Sequence, residues 1–175
     1  MIKRNYYLNR LVHNMCNGEI KVITGIRRCG KSVLLFELFY EYLLAQNISK
    51  DRIIKIALDQ RKYYIYRNPI ALCEYVEKKL EGHEDEQFFL LVDEVQFTSE
   101  VVDKQNGGIK VTIYDMLNEL KSYRNLDIYV TGSNSKMLSS DVLTQFRDRG
   151  DEIHVNPLSF AEVYDLYENK ELAFE

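Results

Sequence analysis

The segment GIRRCGKS occupies positions 25–32. Two glycines five residues apart, the second followed by lysine and serine, let a backbone curl until several N–H groups converge on one point. The flanks fix the setting of that curl. EIKVIT at Glu19–Thr24 reads as a strand. Lys31–Ala45 reads as a helix that is apolar nearly all round, with Glu37 and Glu41 one turn apart as its wet stripe. A strand, a glycine loop and a helix in that order aim the converging amides at the positive end of the helix, which is a seat for phosphate.

The rest of the chain supplies what such a unit packs into. Short apolar runs alternate with helical patterns, the signature of an α/β sheet with crossover helices. Arg52–Leu58 (RIIKIAL) reads as a second strand, and Asn68-Pro69 as a capped helix start followed by Leu72, Val76 and Leu80 at helical spacing. Phe88–Val92 (FFLLV) is a continuous apolar run, as expected of a central strand covered on both faces. Thr98–Lys110 reads as a loop with a turn at Asn106-Gly107-Gly108, and Tyr114–Ser122 as a helix. Leu126–Thr131 reads as a strand, Lys136–Phe146 as a helix and Glu152–Val155 as a short last strand. Ser159 and Glu162 form a capping-box pattern. The helix they begin runs to the final residue, so the sequence is expected to be the N-terminal part of a longer protein, with residues 1–175 forming one domain.

Composition narrows the setting. No run of eighteen apolar residues is present, and MIKRNYYLNRLVHNM at the start is polar and broken, without the apolar centre of a secretion signal. A cytoplasmic protein with no membrane partner is expected. Cys16, Cys29 and Cys73 are odd in number and lack metal-ligand spacing, as do His13, His83 and His154. Charge is uneven: Met1 to Ile70 holds 13 basic and 5 acidic residues, and the remainder 10 basic and 22 acidic. The basic half fits a polyphosphate or nucleic-acid partner, or a phosphate loop with solvated faces around it.

Chemistry concentrates at three places. The first is the loop, with Gly25, Ile26, Arg27, Arg28, Cys29, Gly30, Lys31, Ser32 and Val33 as the nucleotide-facing run. Lys31 is placed to reach β- and γ-phosphates, and Ser32 to present its hydroxyl to Mg²⁺. Arg27 and Arg28 either touch phosphate or stand solvated. Cys29 lies near a helix N-terminus, a setting that activates thiols, so alkylation there is expected to block nucleotide binding. The second is FFLLVDEVQ, where Asp93 ends an apolar strand at the sheet edge that binds ligands. Asp93 can hold Mg²⁺ through water opposite Ser32, and Glu94 can polarise an attacking water as general base. A small-molecule kinase would leave Glu94 idle. The third is Thr131-Gly132-Ser133-Asn134, whose polar groups either sense a γ-phosphate or cap the next helix. Arg147 and Arg149 flank Asp148 and form either a surface ion cluster or a guanidinium finger for a neighbouring subunit.

GIRRCGKSVLLFE at Gly25–Glu37, LLVDEVQ at Leu90–Gln96, YVTGSNSKMLSSD at Tyr129–Asp141 and FRDRGDEIHVNPLSFAEVY at Phe146–Tyr164 together resemble the prokaryotic AAA-type P-loop ATPases. Members are usually described only as ATP-binding proteins, often with a C-terminal domain of unknown function. The resemblance spans about residues 1 to 170. It implies a three-layer α/β fold with a parallel five-stranded sheet in the order 5-1-4-3-2. It implies ATP and Mg²⁺ as ligands, hydrolysis through Lys31, Ser32, Asp93 and Glu94, Ser133 or Asn134 as the sensor, and Arg149, with Arg147 behind it, as a finger in a homo-oligomer. Asp148 departs from the glycine that relatives often have there. The expected function is MgATP hydrolysis coupled to a conformational change in a larger protein. The alternative is a nucleotide-dependent switch with little turnover that binds DNA or a partner protein.

Overall fold

The computed structural model describes residues 2, 4–104, 106–132 and 150–164. Its centre is a parallel sheet of β1 (Ile20–Thr24), β2 (Ile53–Ala57), β3 (Phe88–Asp93), β6 (Leu126–Thr131) and β7 (Gly150–His154), in the spatial order β2-β3-β6-β1-β7. Counted among these five strands alone, that is 5-1-4-3-2 read from the other edge. A separate antiparallel pair, β4 (Val101–Asp103) and β5 (Ile109–Val111), occupies the stretch read as a loop over Thr98–Lys110. The loop reading fails because the Asn106-Gly107-Gly108 turn closes a hairpin: Asp103 caps it through the Asn106 amide at 3.1 Å, and Gly107 and Gly108 both take left-handed φ.

Both faces of the sheet are covered, which is why its inner strand β3 reads as an unbroken apolar run over Phe88–Val92. One face, with Val22, Leu90, Val92, Ile128 and Val130, packs under α3 (Pro69–Leu80) and α4 (Ile113–Leu120). The other, with Ile23, Phe89, Leu91, Tyr129 and Ile153, packs under α1 (Asn5–His13) and α2, the helix of residues 31–45. Helix α1 lies in the segment read as polar and broken. Only Tyr7 and Leu11, one turn apart, are buried on it, and two anchors are too few to set a visible period.

Helix α2 holds its predicted residues but widens to a π-helical turn over Leu34–Phe39. The Phe36 carbonyl in that turn accepts from Lys55 Nζ at 2.9 Å, and the ammonium sits 3.9 Å from the centre of the Tyr40 ring. The Asn68 side-chain Oδ1 accepts from the Ile70 amide at 3.0 Å, capping α3 as expected. Ser159 and Glu162 form the reciprocal capping bonds at the start of α5 (Phe160–Tyr164).

Part of the basic surplus in the first half lies inside the molecule. Lys21 is fully buried and paired with buried Asp127, which also accepts from the Cys16 amide and the Tyr129 hydroxyl, each at 2.9 Å. Arg4 and Lys31 are buried as well. No helix among the described residues is long and apolar enough to cross a membrane.

Candidate functional site

The parallel strands end together, and parallel register brings their C-terminal residues side by side. Ile23 pairs with Thr131 across β1 and β6, and Val92 with Val130 across β3 and β6. The glycine loop leaves β1 at this edge. Gly25 has φ +142°, and a Cβ there would lie 2.3 Å from the Val155 carbonyl oxygen and 2.8 Å from Cys29 Sγ, so only glycine fits. Gly30 has φ +93° at the entry to α2. Arg28 is also left-handed, at φ +66°, a conformation costing a non-glycine residue roughly 1 kcal/mol or more.

Lys31 is buried and its ammonium lies across the curl, donating to the Gly25 carbonyl at 3.0 Å and the Ile26 carbonyl at 2.9 Å. The side chain of Ser32, the next residue, faces the Asp93 carboxylate closely enough to lower its pKa. Asp93 closes β3 and is itself buried. Burial pushes its carboxyl above the usual carboxylate range, opposed by the hydrogen bonds from Thr131 and Ser32. A serine hydroxyl against a buried carboxylate is a hard-oxygen donor pair of the kind that suits Mg²⁺. The curled loop with an ammonium inside it suits a polyphosphate.

Glu94 follows in a left-handed turn, φ +58° and ψ +52°. That turn breaks the strand's alternation and directs the residue out of the sheet. Its amide donates to Thr131 Oγ1 at 3.0 Å, and its carboxylate accepts from the Gln96 side-chain amide. Thr131 also donates that hydroxyl's proton to Asp93.

The structure therefore brings Lys31, Ser32, Asp93 and Glu94 to one edge. Ile26, Arg27, Arg28 and Val33 are exposed around it. Cys29 is not available in the way expected: its thiol is packed in the core beneath Gly25 and the residue is 3% exposed, so the alkylation expectation does not hold for the folded chain. Ser133, Asn134, Arg147 and Arg149, with the helix read at Lys136–Phe146, lie outside the described residues. Among the described residues no group of three or more His, Cys, Asp or Glu side chains could hold a metal.

The parts played by two residues escaped the sequence reading. Arg4 reaches the loop from before α1. Its guanidinium donates to the Cys29 carbonyl at 2.6 Å, the Asn156 carbonyl at 2.7 Å and Glu162 Oε1 at 2.9 Å, and lies 4.5 Å from the centre of the Tyr7 ring. A lone arginine has no spacing that could announce this. Thr131 was read with Gly132, Ser133 and Asn134 as part of a γ-phosphate sensor or a helix cap, but its bonds to Asp93 and Glu94 were not foreseen. Beside Arg4, Ile2, Val33 and Leu158 line a mainly apolar cleft of about 190 Å³ against Cys29 and Gly30.

The chain matches the AAA domain family over residues 17–164. It is 33% identical over 162 residues to an uncharacterized protein of Haemophilus influenzae, covering 93% of this chain and 37% of the relative. It is 31% identical over 165 residues to the uncharacterized protein MJ1544 of Methanocaldococcus jannaschii, covering 91% and 32%. The chain thus spans about a third of the length of these relatives. Among solved structures, Cdc6p from Pyrobaculum aerophilum superposes with a TM-score of 0.59 at 15% identity, over 97% of this chain and 49% of that one, a likeness of fold. With most of its length matched and its sheet and glycine loop in place, this chain belongs to the AAA domain family of P-loop nucleotide-binding proteins.

Proposed function

We propose that the chain binds MgATP in the loop Gly25–Ser32 and hydrolyses it to ADP and phosphate, driving a conformational change in the larger protein or assembly it serves. The observation that carries this reading is the meeting of Ser32 with Asp93 directly beside Lys31, across the mouth of the glycine loop. When bound, Mg²⁺ would supply a Lewis acid to the phosphate oxygens. Ser32 and Asp93 would hold it. Lys31 exchanges the Gly25 and Ile26 carbonyls for β- and γ-phosphate oxygens. Glu94 accepts the proton of the attacking water, and the Gln96 amide on its carboxylate fixes its direction. Ser133 or Asn134 as sensor, and Arg149 or Arg147 as a finger between copies in a cytoplasmic homo-oligomer, remain part of this proposal.

The test is multiple-turnover phosphate release. Glu94→Gln is expected to keep ATP affinity within about 3-fold and to lose at least ~100-fold in kcat, the scale of a lost general base. Equal turnover by the two proteins removes Glu94 from the role.

A second reading, a nucleotide-controlled binding switch, is favoured by one observation. The turn Arg61–Arg67 exposes Arg61, Lys62, Tyr64 and Ile65, and its last carbonyl accepts from the Ser99 amide at 2.9 Å in the segment after Glu94. Cations interleaved with aromatics suit a nucleic-acid strand. ATP-dependent binding of DNA, lost on Arg61→Glu with Lys62→Glu and accompanied by negligible turnover, would favour the switch over the hydrolase.

A further inference from the structure

We propose that Thr131 is the positioning residue that sets Asp93 and Glu94 against each other, through a single hydroxyl shared between them. The proposal rests on the hydrolytic reading above and deepens it.

Thr131 is fully buried at the end of β6, between β1 and β3. A hydroxyl has one proton and two lone pairs. Here the proton goes to the Asp93 carboxylate and a lone pair receives the Glu94 amide at 3.0 Å. Two consecutive residues with different tasks are therefore tied to one atom of a neighbouring strand. For Asp93, the bond fixes carboxylate rotation, since its partners are Thr131 on one side and Ser32 on the other. For Glu94, the bond holds the backbone in a left-handed turn that a glutamate adopts only at a cost of roughly 1–3 kcal/mol. Without that turn, strand alternation would carry the side chain to the opposite face of the sheet from Asp93.

The role belongs to the hydroxyl and not to the shape. Valine fills the same volume but neither donates nor accepts, and it would leave the Asp93 carboxylate and the Glu94 amide each short of a partner. Serine keeps the hydroxyl and loses a methyl group. A purely structural threonine would show the same stability loss in the valine variant but no selective effect on the metal-dependent steps.

Wild type, Thr131→Val and Thr131→Ser are compared by calorimetric titration with ATP in EDTA and in Mg²⁺, by phosphate release, and by amide hydrogen exchange of Glu94 without nucleotide. Thr131→Val is expected to keep metal-free ATP affinity within about 3-fold. It should lose roughly 10- to 100-fold in both kcat and the Mg²⁺-dependent gain in affinity, the range of one hydrogen bond to a charged group. The Glu94 amide should exchange at least about 10-fold faster in the valine variant. Thr131→Ser should recover each quantity to within about 3-fold. Should the valine protein not fold, Thr131→Cys, a weak donor of similar size, carries the same expected losses. Wild-type kcat and metal dependence in Thr131→Val, or a serine variant as impaired as valine, overturns the role. A wild-type chain that binds no ATP overturns the hydrolytic reading and this role with it.

Discussion

Arg4→Ala removes a guanidinium whose side chain is 3% exposed and whose three hydrogen bonds tie the glycine loop to the segment leading into α5. Each such charge-assisted bond is worth about 1.5–3 kcal/mol taken singly. They do not add, because all three share one charge whose own desolvation disappears with it. Breaking one side of a buried ion pair costs about 3–5 kcal/mol. Glu162, at 25% side-chain exposure, can regain water, so the lower end, about 3 kcal/mol, is expected here. At roughly 2–4 °C per kcal/mol for a chain of this size, Tm should fall by roughly 6–12 °C. Urea unfolding followed by two probes measures the free energy and checks that the transition is two-state. Arg4→Lys keeps the charge but not the planar fork that reaches three acceptors, and should recover less than half of the loss. ATP affinity should weaken about 5- to 10-fold in Arg4→Ala, because the Cys29 carbonyl belongs to the loop that must hold its curl. A stability loss under about 1 kcal/mol would refute the reasoning, since that is the worth of exposed pairs.

The remaining expectations use other parts of the molecule. Asp127→Ala strands the buried Lys21 ammonium and should cost about 3–5 kcal/mol in urea unfolding, more than the double change Lys21→Met with Asp127→Leu. A maleimide at neutral pH should label exposed Cys16 first. Cys29 and Cys73 are buried, and the Cys73 thiol is pushed up to about 12 by burial and nearby Glu77, so both should react only on unfolding. Burial raises the Glu162 carboxyl, but hydrogen bonds from Ser159 and Arg4 outweigh it and hold the group below its ordinary 4.5. A depressed carboxylate stabilises the fold fully above that ordinary value and loses its contribution as pH falls through the folded one. The Tm gap between wild type and Glu162→Gln should therefore be full at neutral pH and close in acid below pH 4.5.

Local chemistry decided what could be read from the sequence alone. The strands β1, β2, β3 and β6 were legible because both faces of the sheet are covered, which makes them mostly apolar, without a break in Phe88–Val92 and with a single charged residue inside each of the other three. The loop was legible because glycine is required at positions 25 and 30 by a close contact and a left-handed φ. Asp93 and Glu94 followed from a carboxylate pair placed where a strand must end. Pairing across the sequence left no such trace. Arg4 meets Glu162 across 158 residues, and Thr131 meets Asp93 across 38. Neither contact has a spacing or a composition to mark it. The β4–β5 hairpin was missed because strands of three residues are too short for alternation to register. The burial of the Cys29 thiol was not legible, because a position near a helix start says nothing of what packs behind it.

Calorimetric titration of the chain with ATP in Mg²⁺, wild type beside Lys31→Ala, bears most directly on the central claim. Saturable one-to-one binding is predicted for wild type, strengthened by Mg²⁺. A loss of at least ~100-fold, about 2.7 kcal/mol, is predicted for Lys31→Ala, whose fold should persist because the ammonium bonds only within the loop, to the Gly25 and Ile26 carbonyls and the Cys29 sulfur. Absence of binding in the folded wild-type chain, or equal affinity in the two proteins, would contradict the account.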